Sequence, residues 1–167
     1  MNSIEPDKAL IETLAQLLKD RKETIAAAES VTAGLVQFSL SGMPEASLVF
    51  NGGITAYNLE QKIKHLKVDP VHAARVNCVS ERVAVEMAAE VATVFDAAWG
   101  IGITGYAAPV PESENRLFAY YAIVYRQELL GSGMLTGKEG TPMALQAYYA
   151  HTLLKRLLEM IQAKTPA

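Results

Sequence analysis

Short uncharged runs of strand length alternate with amphipathic segments of helical period along this chain. That alternation restricts it to an α/β sandwich, because each apolar face must be covered by an element of the other kind. Leu10, Leu14, Leu17 and Leu18 recur at helical spacing, which predicts a first helix over residues 5–20 closed by Lys19, Asp20, Arg21 and Lys22. Residues 24–28 have the length of a buried strand, although their alanines alone suit a helix equally, and residues 32–40 follow as a helix stopped by Gly42 and Pro44. Residues 47–57 read as a strand interrupted by Gly52-Gly53, a pair that marks a bulge or a close backbone approach. Ser80 N-caps a helix through residue 95, with Val83, Met87 and Val91 on one stripe. Residues 99–104 form another short buried strand, and a proline-containing loop spans residues 105–115. Residues 117–125 and 127–135 make an antiparallel pair around Arg126. Thr141-Pro142 then opens a last helix to about residue 161, and residues 164–167 are expected to fray.

The order helix, strand, helix, strand, helices, strand, paired strands, helix predicts a three-layer α/β/α sandwich with a mixed sheet. One domain, residues 1–167 with a core over about 5–161, is expected. A unit of 167 residues, half of them apolar, buries about 70% of its unfolded surface and needs no disulfide or metal to hold a core. The net charge of -3, from 18 acids against 15 bases, argues against a chain built to neutralise phosphate backbones, so nucleic acid is not an expected partner. No apolar run reaches the ~18 residues of a membrane helix, and the first seven residues lack the regions of a signal peptide. A cytoplasmic protein without membrane partners is therefore expected. The single cysteine, Cys78, permits no internal disulfide and no cysteine-built zinc site, and the three histidines lie far apart. Neither a metal nor another cofactor is expected.

In such folds, loops leaving strand ends toward helix N-termini hold the ligand. Two loops qualify. Ala28-Glu29-Ser30-Val31-Thr32-Ala33-Gly34 would present the Ser30 hydroxyl where backbone N–H groups and the helix dipole favour negative charge, although Ser30 or Thr32 would equally serve as a helix cap. Thr104-Gly105-Tyr106-Ala107-Ala108-Pro109 carries no phosphate-loop or dinucleotide pattern, and its Gly105 is expected to expose backbone donors. A serine needs a base. His65, His72 and His151 stand in no triad signature, so a lysine with an accessible neutral form is the other solution. Lys62, Lys64 and Lys67 follow Tyr57; a solvated helix face suits Lys64 and Lys67 better, and spacing leaves Lys62 open. Cys78 reads as a small buried residue, and the aromatic group Phe118, Tyr120, Tyr121 and Tyr125 as packing, with stacking of one tyrosine on a ligand ring the alternative.

Four strings in the right order resemble the CinA C-terminal domain family, the nicotinamide mononucleotide amidases. Residues 28–34 look like its AESCTGG, and Tyr57, Asn58 and Lys62 resemble its YxNxxK. Val79-Ser80 with Val83-Ala84 and Glu86-Met87-Ala88 matches VSxxVAxEMA, and Thr104-Gly105 with Ala107 and Pro109 matches TGIAGP. The likeness covers about residues 10–158. It implies hydrolysis of the nicotinamide carboxamide to nicotinate mononucleotide and ammonia without a metal. Ser30 would be the nucleophile, Lys62 its base and Tyr57 a partner in proton transfer or positioning. Glu29, Thr32, Ala33, Gly34, Asn58, Thr104, Gly105 and Tyr106 would bind substrate. Backbone N–H groups at the start of the following helix would hold the oxyanion.

Some positions depart from the family strings. Val31 replaces a cysteine, and Ala33 puts a methyl group where a glycine would let a ligand approach. The glycine-rich continuation becomes Tyr106, Ala108 and Val110-Pro111-Glu112, and the arginines near the last helix become Lys138-Glu139-Gly140-Thr141-Pro142-Met143. One lysine does not replace a bidentate phosphate clamp. The resemblance therefore carries the reaction class further than the substrate. The alternative is a catalytically silent CinA-like ligand-binding or assembly module. Larger CinA proteins carry a separate nucleotide-processing domain in front, for which this chain is expected to have no room, and a symmetric homo-oligomer is expected.

Overall fold

A computed structural model describes residues 4–165. Helix α1 (Lys8–Arg21) leads into β1 (Ile25–Glu29) and α2 (Leu35–Ser41). Next come β2 (Phe50–Thr55), α3 (Leu59–Leu66), α4 (Pro70–Arg75) and α5 (Glu81–Val94). The chain ends with β3 (Trp99–Tyr106), the hairpin β4 (Phe118–Tyr125) and β5 (Glu128–Thr136), and α6 (Pro142–Ala163). The sheet order is β2-β1-β3-β4-β5. Strands β2, β1 and β3 run parallel, while β4 and β5 add on antiparallel, so the sheet is mixed. Helices α1, α2 and α6 cover one face, and α3, α4 and α5 the other, giving three layers. Among the described residues no helix is long and apolar enough to cross a membrane.

Strand β1 is buried along its whole length, which is why it is a run of small uncharged residues up to Glu29. Strand β3 shows how its alternation was chosen. Trp99, Ile101 and Ile103 fill the core beneath α1 and α6, while Gly100 and Gly102 face α5. There a side chain at Gly102 would overlap the Ala84 carbonyl oxygen and come within 2.8 Å of the Ala88 nitrogen. The helix answers with Ala84, Ala88 and Ala92, all buried, so it lies directly on the strand backbone. At the amino end of the same strands, buried Glu23 accepts hydrogen bonds from Trp99 Nε1 and the Tyr125 hydroxyl, both at 2.7 Å. This ties β1, β3 and β4 together at the end opposite the loops of interest, and burial pushes the Tyr125 hydroxyl above its ordinary pKa.

Four details differ from the reading above. The second helix starts at Leu35 rather than Thr32, because Ala33 and Gly34 take positive φ values of 50° and 102° and hold the chain in a turn. The strand expected over residues 47–57 is a short 3-10 turn at Ala46–Leu48 followed by β2. Within it Ile25 pairs with Phe50 but Ala26 with Gly52, so Asn51 is the extra residue of a bulge at the glycine pair. Helix α4, not placed by the helical periodicity, carries an Asp69 cap and Pro70 at its start, the same signal as Thr141 and Pro142. Strand β3 runs two residues further than expected, to Tyr106, and shortens the loop after it. Of the tail expected to fray, Lys164 donates its N–H to the Met160 carbonyl at 3.1 Å, and Pro166 and Ala167 lie outside the described residues.

Candidate active site

The three parallel strands end together, and a cleft of about 390 Å³ opens at their carboxyl ends. Ser30 follows the last residue of β1, and its N–H donates to the Ile103 carbonyl at 3.1 Å, which pins it beside β3. The turn that carries it is organised by Glu29, which is fully buried. One Glu29 oxygen accepts from the Thr32 hydroxyl at 2.5 Å and from the N–H groups of Gly34 and Val36 at 3.1 and 3.0 Å; the other accepts from the Gln37 N–H at 2.7 Å. A carboxylate, not a hydroxyl, therefore caps α2. This corrects the expectation that Ser30 or Thr32 plays that part, and it leaves the Ser30 hydroxyl free for another bond.

That bond is to Lys62. Strand β2 is held parallel to β1, with the Ala56 N–H on the Glu29 carbonyl at 2.9 Å, and the chain then turns into α3. Asn58 caps α3 by accepting the Gln61 N–H at 3.0 Å, and Lys62 sits one turn in, on the inward face with Leu66. Its side chain is buried, 2% exposed, and Nζ lies 2.9 Å from Ser30 Oγ. Burial pushes its pKa below the ordinary lysine value, opposed by the nearby Cys78 thiol. Lys64 and Lys67 are exposed, and Lys67 pairs with Glu90 at 2.6 Å, as a solvated face requires.

The remaining expected site residues divide. Tyr57, Asn58, Thr104, Gly105 and Tyr106 line the cleft with Ser30 and Lys62, whereas Glu29, Thr32, Ala33 and Gly34 do not. Glu29 and Thr32 are buried in the cap just described, and the exposed Ala33 methyl lies off the cleft, so it does not restrict access there. Asn58 directly follows Tyr57, one place earlier than the asparagine of the family string, and its carbonyl amide oxygen is spent on the helix cap. Tyr57 reaches the cleft 69% exposed and makes no hydrogen bond to Ser30 or Lys62. The Thr104 hydroxyl donates to the Cys78 carbonyl at 2.8 Å. Glycine is needed at 105 not to expose donors but because a side chain would overlap the Phe118 carbonyl of β4 and lie 2.5 Å from the Ala119 Cα.

Further lining comes from residues just after α4 that sequence reasoning did not place there. Asn77 and Cys78 follow α4 in left-handed conformations, φ 51° and 61°, and the Cys78 N–H donates to the Ala73 carbonyl at 2.8 Å. Cys78 is buried, as expected, and burial raises its thiol pKa against the pull of Lys62. Asn77, like Gln146 of α6, is a lining residue that was missed: its Nδ2 donates to the Tyr106 hydroxyl at 3.0 Å. An asparagine just after a helix end, where left-handed backbone is common, was the available signal. Among the described residues no group of three or more His, Cys, Asp or Glu is placed to hold a metal.

Fold and cleft together define an α/β domain with a buried serine–lysine pair at the carboxyl ends of its parallel strands. The family model of the CinA C-terminal domain matches residues 7–157, and the chain belongs to that family. A CinA-like protein from Thermosynechococcus vestitus is 41% identical over 103 residues, 62% of this chain and 25% of that protein. A CinA-like protein from Cyanothece sp. is 38% identical over 110 residues, 66% of this chain and 26% of that one. The matched part thus spans about a quarter of the length of these curated relatives. Among solved structures, the competence or damage-inducible protein from Enterobacter asburiae superposes with a TM-score of 0.85 at 26% identity, covering 91% of this chain and 96% of that one. The CinA superfamily protein from Escherichia coli gives 0.86 at 25% identity, covering 95% and 91%.

Proposed function

We propose that this protein is an amidase that cleaves a small carboxamide through an acyl-enzyme on Ser30. The observation that carries the reading is the 2.9 Å contact between Ser30 Oγ and a lysine whose side chain is 2% exposed. A buried amine without a carboxylate partner is biased toward its neutral form, which accepts the serine proton as Oγ forms its bond to the amide carbon. Positioned general bases of this kind contribute about 10²- to 10⁴-fold. The N–H groups of Gly34, Val36 and Gln37 are taken by Glu29, so the helix start does not serve the oxyanion. That of Val31, directly after Ser30 and in the cleft lining, has no acceptor among the described residues and suits that role. Lys62, now protonated, returns its proton to the leaving nitrogen as the carbon–nitrogen bond breaks. Water then attacks the ester, releasing the acid and restoring Ser30. Family resemblance supports the nicotinamide carboxamide as the group cleaved, with nicotinamide mononucleotide the family's substrate.

Ammonia release from nicotinamide, its riboside and its mononucleotide tests the reading, together with covalent labelling of Ser30 by a fluorophosphonate. Release and labelling by the native chain, both lost in Ser30→Ala, are expected. Release that survives Ser30→Ala would reject the nucleophile. The absence of both in the native chain would favour the silent module.

A further inference from the structure

We infer that the cleft selects a small aromatic carboxamide that carries no phosphate, with its ring laid against Tyr106. This rests on the amidase reading for the reaction and narrows its substrate. Two observations carry it. The first is how the one cation is used. Lys62 is the only charged side chain among the described residues that line the cleft, and it is committed to Ser30 at 2.9 Å. A phosphate close enough to pair with this lysine would hold it protonated, and a protonated lysine cannot take the serine proton. A phosphate placed elsewhere in the cleft would meet no second cation among the described lining residues, only neutral side chains such as Val31, Val79, Val110, Asn77 and Gln146.

The second observation is the way Tyr106 is held. Its hydroxyl accepts from Asn77 Nδ2 at 3.0 Å, and its carbonyl accepts from the Tyr149 hydroxyl at 3.1 Å. Its ring meets Phe118 edge-on with centroids 5.5 Å apart. These three ties join β3 to the turn after α4, to α6 and to β4, so the tyrosine is a fixed part of the cleft wall. An immobilised ring loses little entropy when a flat ligand stacks on it. The carboxamide of that ligand would then face Ser30 at the end of the neighbouring strand.

The test compares nicotinamide riboside with nicotinamide mononucleotide, which differ by the phosphate alone, in equilibrium binding to Ser30→Ala, where turnover cannot intervene. The riboside is expected to bind at least about tenfold more tightly. Equal or tighter binding of the mononucleotide, or no binding of either compound at millimolar concentration, would overturn the inference. Fluorophosphonate labelling of Ser30 in the native chain reports the amidase reading separately, so either idea fails without the other. Tyr106→Ala, combined with Ser30→Ala, is expected to weaken riboside binding about tenfold. Tyr106→Phe, which keeps the ring and loses only the Asn77 bond, should stay within about threefold. Loss of binding in both Tyr106 variants with unchanged melting would show that the hydroxyl, not the ring, matters, and would overturn the stacking role.

Discussion

Glu29→Gln is the sharpest test of how this site is built. The native carboxylate is fully buried and accepts four hydrogen bonds, three on one oxygen and one on the other. An ionised carboxylate only accepts, whereas a glutamine must point an NH2 group at one of the two places. Its less damaging orientation keeps the oxygen toward Thr32, Gly34 and Val36 and turns the NH2 toward the Gln37 N–H, replacing a 2.7 Å bond with two opposed donors. Losing a bond to a charged group costs about 1.5–3 kcal/mol, and stranding a partly buried donor adds to it, so a total of roughly 2–4 kcal/mol is expected. For a domain of this size that corresponds to a fall of roughly 5–15 °C in Tm, read by calorimetry or circular dichroism at pH 7. The turn between Glu29 and Gly34 also carries Ser30, so the rate of fluorophosphonate labelling should fall as well. A Tm within about 2 °C of the native value, with labelling unchanged, would refute the claim that this carboxylate organises the turn.

Lys62→Met should lower activity by about 10²- to 10⁴-fold while raising stability at pH 7. Because burial holds the folded-state pKa of Lys62 below its unfolded value, the unfolded chain binds more protons between the two, and native stability rises with pH through that window; the methionine variant should lack this alkaline rise in urea unfolding. A variant less stable than the native chain at neutral pH would contradict the cost assigned to burying this amine. Gly102→Ala should force α5 off β3 and cost about 1–3 kcal/mol, measured as a lower urea midpoint with an unchanged slope. Asn58→Ala removes the α3 cap, costs about 1 kcal/mol, and should lower kcat more than it raises KM, since the helix it caps holds Lys62; a change in KM alone would argue for a direct contact with substrate.

Much of the architecture was legible locally. Helix starts at Ser80 and Thr141 carry their own caps, and a cap acts on backbone N–H groups two or three residues ahead, so the signal is visible in a few consecutive letters. The alternation of strand-length and helix-period segments likewise determined the three layers, because side-chain periodicity decides which face is apolar. What needed the tertiary structure were choices among locally equivalent residues. Lys62, Lys64 and Lys67 lie within six positions of one another, and only the packing of α3 against the neighbouring helix decides which of them is buried on Ser30, 32 residues away. Ser30 and Thr32 were the hydroxyls expected to cap α2, and the carboxylate of Glu29 takes that part because the turn folds the helix start back over it. The glycines of β3 had no meaning until α5 was laid on them. The sequence by itself determined the elements and the reactive residue types, since those follow from neighbours along the chain. The pairings that make a site were decided by the close packing of segments distant in sequence, which no local spacing encodes.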